Sequence, residues 1–378
     1  MTNFLPAFEL SFLGIVLLVF ISAIAIQLLY LVIFNFRLLI HKHRPDATNY
    51  LPPISLIVCA RNEEDNLFKH LPALLNQNYP DFEVIVVNDQ SQDDSNHIVK
   101  AYAKDYPNLR LIELEKNKHR KFGKKIPLTV GIKGAKHGLI MLTDADCKPI
   151  SENWLGEMAS SYTSNKQVVV GYGPFNKQDG FLNRFIRFDM VSIAISYLSA
   201  AKNGLPYMGV GRNMGYSKDL FIDNEGFKKH YHIASGDDDL LIRDVATRKN
   251  VGININPNTF VYSDAKSTWE SWFSQKRRHF TTAPEYRLIN KLFLGIFPFT
   301  LYLMWFSFFI LLFNTNWGLF IGSLLVSRYI LYWLINGLLL KRLKMKDLIL
   351  LFPFYELLHA VVMPFIYYAN PKSNKKAW

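Results

Sequence analysis

Leu139-Ile140-Met141-Leu142-Thr143-Asp144-Ala145-Asp146 decides how the middle of this chain is read. Four apolar residues and a threonine make a short β run, and it ends on two carboxylates two positions apart. Upstream lie three similar runs, Ile54–Ala60, Phe82–Asn88 and Leu109–Glu113. Helical patterns separate them, one through Leu67, Leu71, Leu74 and Leu75 and another from about Ser95 to Lys104. Short apolar strands alternating with helices predict a mainly parallel α/β sheet covered on both faces. Such sheets bind ligands beyond the carboxyl ends of their strands. The polar clusters Arg61–Asp65, Asn88–Asp94 and Asp144–Asp146 each follow a strand end. Asp-x-Asp by itself is common turn chemistry. At a strand end, however, two such acids can share one divalent cation with a bound diphosphate.

Outside this middle the chain changes character. Leu10 to Phe36 is a run of 27 residues without Asp, Glu, Lys or Arg. That exceeds the roughly 20 needed to span a bilayer as a helix. No basic segment precedes the run and no small-residue cleavage site follows it, so it reads as a span rather than a signal peptide. Leu292–Phe313 and Trp317–Leu340 are further candidates, the latter carrying only Arg328. A last candidate, Leu348–Ala369, contains Glu356, His359, Pro353 and Pro364 and reads as a span or a broken interfacial segment.

Basic flanks orient the spans. Arg37, Lys42 and Arg44 follow the first, and Lys341, Arg342, Lys344 and Lys346 follow the third. The positive-inside rule places both stretches, and the domain between the spans, in the cytoplasm. Four full crossings would put the tail with Lys372, Lys375 and Lys376 on the opposite side, against that rule. The expected location is the plasma (inner) membrane, with membrane lipids as partners. The expected domains are an anchor (1–44), a catalytic domain (45–290) and a C-terminal membrane region (291–378) with two or three spans.

Composition excludes other classes. The 378 residues are 50% hydrophobic and carry a formal net charge of +12, too apolar for a disordered chain. Two cysteines, Cys59 and Cys147, build neither a disulfide scaffold nor a Cys-rich zinc site. Because the basic runs flank spans and form no reader helix, the charge does not indicate a nucleic-acid binder. His230 and His232 have no partners at zinc-ligand spacing.

Four further segments complete the pattern: Cys59-Ala60-Arg61-Asn62-Glu63-Glu64, Val86-Val87-Asn88-Asp89-Gln90-Ser91, Ser235-Gly236-Asp237-Asp238-Asp239-Leu240 and Gln275-Lys276-Arg277-Arg278-His279. In this order they resemble the inverting glycosyltransferases of family 2, which have the GT-A fold. The resemblance covers roughly Pro53 to His279. The Gln-x-x-Arg segment beside membrane spans is similar to the membrane-bound subset, marked by Gln-x-x-Arg-Trp, that includes polysaccharide synthases.

The resemblance implies roles. Ala60, Arg61 and Glu63 would line the nucleotide pocket, and Asp89 would contact base or ribose. Asp144 would lie against the nucleotide, and Asp146, with Asp144, would hold Mg²⁺ or Mn²⁺. The family's Glu-Asp-x-x-Leu pattern falls on Gly236–Leu240, which makes Asp237 the base, with Asp238 the alternative. Gln275 and Arg278 would bind the diphosphate and the acceptor side. Asn88 replaces a common Asp, Gln90 a common Gly, and His279 the family's Trp. Gly209–Asn213 resembles the acceptor-side glycine loop.

The chemistry requires these residue types on its own account. A departing diphosphate needs a metal and cations, and an acceptor hydroxyl needs a carboxylate to take its proton. Gly123-Lys124-Lys125 ends the basic run Lys116–Lys121 and precedes the helix leading to the Asp-x-Asp strand. It reads as a flexible loop whose lysines, Lys125 first, reach the diphosphate, or as a solvated or membrane-facing basic face. The implied activity is hexosyl transfer from a nucleotide-sugar, a UDP-sugar in the first instance, to a lipid or glycan hydroxyl. The alternatives are a processive polysaccharide synthase and, behind it, a non-catalytic nucleotide-sugar-binding membrane protein. The oligomeric state stays open. Phe181, Phe185, Phe188, Val191, Ile195 and Leu198 mark a helix that either lies on the membrane or packs inward.

Overall fold

The computed structural model describes residues 11–42, 51–115, 123–233 and 235–368. Arg44, residues 45–50 of the expected joint, the basic run Lys116–Lys121 and the tail lysines lie outside the described residues. The described residues separate into two compact units, those within 42–286 together with 364–368, and those within 11–41 together with 287–363.

The first unit is built on a sheet. Its strands are β1 (Ile54–Ala60), β2 (Phe82–Asn88), β3 (Leu109–Glu113), β4 (Leu139–Asp144), β5 (Lys148–Pro149), β6 (Val168–Val170), β7 (Met214–Ser217), β8 (Val251–Ile253) and β9 (Val261–Tyr262). Seven of them form one sheet in the order β3-β2-β1-β4-β7-β6-β8, while β5 pairs with β9. All the pairings on the β3 to β4 side are parallel, as are β6 and β8. Within this sheet, as described, β7 runs antiparallel to its neighbours, and β5 and β9 also pair antiparallel. Every residue of β1 is buried, as expected of a strand covered on both faces.

Helices cover the sheet. Leu67, Leu71, Leu74 and Leu75 form the buried stripe of the helix Glu64–Leu75. The helix Lys125–Gly134 approaches so closely that a Cβ on Gly131 would meet Ile57 Cγ2 at 2.7 Å and Val87 Cγ2 at 2.9 Å. The long helix Phe181–Lys202 packs inward rather than lying on a surface. Phe185, Phe188, Val191, Ile195 and Leu198 are buried, and so are Arg187 and Asp189. A buried ion pair from Asp189 to Lys276 Nζ (2.9 Å) ties it to the helix Trp269–Phe280.

The second unit contains the apolar helices. Among the described residues three are long and apolar enough to cross a membrane: Phe12–Leu39, Leu288–Asn314 and Gly318–Arg342. The first passes through a π-helical segment, Leu31–Phe36, where Asn35 Nδ2 donates to Asn336 Oδ1 (2.8 Å). A fourth helix, Phe352–Tyr368, has 17 residues and an internal Pro364. The polar residues that marked these segments are paired. Arg328 donates to both oxygens of Glu356 (2.9 and 2.7 Å) and to Gln27 Oε1 (2.8 Å). Its guanidinium also stacks on Tyr332, 4.4 Å from the ring centroid. Ionisable groups inside such helices persist when paired in this way.

Candidate active site

The strand register builds the site. Ala60 aligns with Asn88, and Cys59 with Asp144, so β1, β2 and β4 end level with one another. The chain leaving β1 is stitched to the chain leaving β2. Asp89 N donates to Ala60 O (2.8 Å). Asn62 N donates to Ser91 Oγ (2.9 Å), Glu63 N to Ser95 Oγ (2.9 Å) and Glu64 N to Asp93 Oδ2 (3.0 Å). Asn62 and Gln90 both take left-handed backbone conformations there, with φ of 54° and 58°. Asn88, at the position of a common family Asp, closes its own turn by accepting from the Ser91 hydroxyl (2.6 Å). Ala60 and Asp89 are buried, while Arg61 and Glu63 are half-buried. Burial pushes the Glu63 carboxyl up, and the charges of Asp146 and Asp144 add to the effect, so Glu63 shares their neighbourhood.

Asp144 is half-buried and Asp146 exposed. Carboxylate oxygens of both lie within 4.8 Å of each other and of Cys147 Sγ. The thiol donates to Asp146 Oδ1 (3.2 Å), and burial followed by the two aspartates pushes its pKa well up. Asp144 and Asp146 supply a pair of hard carboxylate donors, which suits Mg²⁺ or Mn²⁺.

Lys124, not Lys125, is the cation beside Asp144, through a direct ion pair. Burial opposes the Lys124 charge, yet Asp144 holds its pKa above the ordinary value. Burial likewise opposes the Asp144 charge, and Lys124 pulls that carboxyl below its usual range, with Arg212 and Arg278 contributing. The expectation that Lys125 reaches a diphosphate is corrected. Its side chain is fully buried, and Nζ donates to the carbonyls of His230 (2.8 Å), Ile233 (2.6 Å) and Ser235 (2.6 Å).

The three consecutive aspartates are held differently. Asp239 is buried and accepts from Thr282 Oγ1 (2.6 Å) and the Tyr286 hydroxyl (2.7 Å). Asp238 accepts from Gly211 N (3.0 Å) and Asp239 N (2.8 Å). Burial, then Asp237 and Asp239, pushes its carboxyl up to about 7. Asp237 faces the same loop, since a Cβ on Gly211 would lie 3.9 Å from its Oδ2. Lys124 feels both Asp144 and Asp237. Gly236 has φ of 92°, and a Cβ there would meet the Leu240 side chain at 2.6 Å. The position where the family pattern has Glu therefore accepts only glycine in this backbone.

Gln275 and Arg278 lie one turn apart on the helix Trp269–Phe280, and of the two Arg278 acts on Asp144. Of the two adjacent lysines after Gly123 the sequence favours Lys125, and it is Lys124 that stands at Asp144. Arg212, in the Gly209–Asn213 loop, has no sequence signal of its own; it donates to Gly173 O (2.9 Å) and stacks on Phe175 at 4.6 Å.

Residues 55–224 match the family described as Glycosyl transferase family 2. The chain carries a family 2 glycosyltransferase domain. It is 32% identical over 127 residues to the glycosyltransferase AglE of Haloferax volcanii, covering 33% of this chain and 40% of that protein. It is 33% identical over 147 residues to a dolichyl-phosphate beta-glucosyltransferase of Trichomonas vaginalis, covering 35% of this chain and 44% of the relative. The chain thus spans less than half the length of either. Among solved structures, the mannosyltransferase PcManGT of Pyrobaculum calidifontis, in complex with GDP-Man and Mn²⁺, superposes with a TM-score of 0.59 at 17% identity, over 91% of this chain and 98% of that one. At that identity the likeness establishes the GT-A fold.

Proposed function

We propose that this domain is the catalytic part of a membrane-anchored inverting glycosyltransferase that moves a sugar from a nucleotide-sugar to a hydroxyl of a lipid or glycan acceptor. One observation carries the reading. The register that levels Ala60, Asn88 and Asp144 also leaves an acid-rich edge, bounded on its other side by Asp237 and Asp238 at the Gly211 loop. In this reading the nucleotide lies along Ala60, Arg61, Glu63 and Asp89. Asp144 and Asp146 would hold Mg²⁺ or Mn²⁺, which when bound offsets charge on the departing diphosphate. Arg278, Gln275 and Lys124 face the same diphosphate, and Arg212 adds positive charge beside Asp144.

Asp237 is the base. Asp238 and Asp239 spend their oxygens on backbone and hydroxyl donors, whereas no hydrogen bond among the described residues ties Asp237 down. Asp237 takes the proton of the acceptor hydroxyl. The oxygen attacks the anomeric carbon opposite the bond to the diphosphate, that bond breaks, and the configuration inverts. The domain division 1–44, 45–290 and 291–378, a cytoplasmic catalytic domain and the plasma (inner) membrane belong to the same proposal. Three helices apolar enough to cross a membrane support it. So does the dolichyl-phosphate beta-glucosyltransferase among the relatives, whose name points to a lipid-borne acceptor.

The Gln275–Arg278 spacing favours a second reading, a processive synthase of the Gln-x-x-Arg-Trp kind. Membranes bearing the full chain, incubated with radiolabelled UDP-glucose, UDP-N-acetylglucosamine and GDP-mannose in turn, test both. The expected product is one discrete lipid-extractable or short-glycan species. A polymer ladder establishes the second reading, and no transfer from any nucleotide-sugar, these three or others, refutes both.

A further inference from the structure

Lys125 is a cation the reaction does not call for, and it is fully buried. It opens the helix Lys125–Gly134 immediately after Lys124, whose ammonium pairs with Asp144. All three hydrogens of the Lys125 ammonium are directed at backbone carbonyls of one segment: His230 (2.8 Å), Ile233 (2.6 Å) and Ser235 (2.6 Å). A buried ammonium needs every proton satisfied, and this one is satisfied only if that segment curls around it. Immediately beyond Ser235 the chain turns through Gly236 into Asp237, Asp238 and Asp239. The Lys125 ammonium also lies within electrostatic reach of all three carboxylates.

We infer that Lys125 is a positioning residue: by gathering the carbonyls of His230, Ile233 and Ser235, it fixes the entry of the chain into Asp237 and so aims that carboxylate at the acceptor side of the site. This rests on the proposed role of Asp237. Two adjacent lysines on one helix start then serve the two halves of the site. Lys124 sets the donor side through Asp144, and Lys125 sets the base through its loop. Other contacts hold the two ends of the segment. Asp239 is held by Thr282 and Tyr286, and His230 Nε2 meets Asp244 Oδ2 at 2.7 Å. Between those anchors, Lys125 supplies the side-chain bonds at Ile233 and Ser235.

The test uses the full chain in detergent and compares Lys125→Met with Lys124→Met by amide hydrogen exchange, without any ligand. Lys125→Met is expected to speed exchange across 230–240 at least tenfold, with the strands β1, β2 and β4 unchanged. Lys124→Met leaves 230–240 protected. With the donor that gives turnover in the labelled-donor screen, Lys125→Met is expected to lower kcat at least tenfold while donor KM stays within twofold. Unchanged exchange in 230–240 overturns the inference. So does a donor KM that rises tenfold with kcat retained, since that marks a diphosphate contact. If every strand exchanges faster in Lys125→Met, Lys125→Gln, whose amide keeps two donors, is measured instead. A global effect there too means that the lysine serves the fold as a whole and overturns the assignment. Asp237→Asn run in parallel separates the two claims. Full activity in that variant removes the base assignment, while the exchange result still reports on what Lys125 holds.

Discussion

Replacing Asp238 with Asn should make the protein more stable relative to wild type as the pH rises. Burial and the flanking Asp237 and Asp239 push the Asp238 carboxyl from 3.8 to about 7. In the unfolded chain it ionises in the ordinary range. Between about pH 4 and pH 7 the folded protein therefore holds a proton that the unfolded chain has lost. Each pH unit in that window costs the folded state up to about 1.4 kcal/mol, and the loss levels off above 7. From pH 5 to pH 8 the upper limit is roughly 2.7 kcal/mol. Asp238 is partly exposed, and solvent screening reduces this to about 1–2 kcal/mol. Asn cannot ionise. It retains one carbonyl oxygen for the Gly211 N–H but loses the second acceptor now used by Asp239 N, a loss of about 1 kcal/mol at every pH. The variant should thus be slightly less stable than wild type at pH 5, and equal or more stable at pH 8. Thermal unfolding of both proteins in the same detergent at the two pH values reads the difference, a relative shift of roughly 2–6 °C. A gap that is the same at both pH values, or that moves against Asn with rising pH, refutes the reasoning about burial and like charge.

Asp237→Asn should reduce turnover by about 10²–10⁴-fold, the usual contribution of a positioned base, and Asp238→Asn by distinctly less. If Asp238→Asn proves the deeper loss, and wild-type activity falls away as pH drops through about 7, the base is Asp238. Asp146→Ala should abolish transfer in a folded protein; EDTA should do the same to wild type, with Mn²⁺ or Mg²⁺ restoring it. Persistent activity in EDTA would remove the metal from the scheme. Glu356→Gln should destabilise the helical unit by about 3–5 kcal/mol, because it leaves Arg328 charged and buried, whereas Arg328→Met with Glu356→Gln should recover most of that loss. Unfolding in detergent of the two single variants and the double variant measures the coupling, and additive effects would show that the pair does not act as one.

The sheet was legible because its strands announce themselves twice, by apolar runs and by the polar residues that end them. Ile54–Ala60, Phe82–Asn88 and Leu109–Glu113 have the expected bounds, and β4 reaches one residue beyond the apolar run, to Asp144. The later strands were not legible. Val168–Val170 and Val251–Ile253 are three residues long, and β7 contains Gly215 and Ser217, so no period can be read from them. The Phe181–Lys202 helix left its buried face undecided, because a stripe of Phe and Val looks alike against lipid and against a sheet. Buried Asp189 and its Lys276 partner decide it. Adjacent lysines posed the same difficulty. Lys124 and Lys125 are identical in type, and only the direction of the helix start separates an ammonium on Asp144 from one buried among carbonyls.

Charge explains why such a site should call for a cation at all. Glu63, Asp144, Asp146, Asp237 and Asp238 gather near one edge, with Lys124, Arg212 and Arg278 as the opposing cations. With every group ionised, acids exceed bases by two. A diphosphate brings further negative charge into that field and would be repelled. The protein's own devices relieve only part of the excess. Lys124 pairs with Asp144, and the proton held by Asp238 up to about pH 7 removes one charge. In the proposed scheme Asp144 and Asp146 would hold a divalent ion, whose charge would offset that excess on the donor side. The same arithmetic separates the metal's two effects. If the ion first permits the donor to enter, its removal raises donor KM as well as lowering kcat. An ion that acted only on the leaving group would change kcat alone.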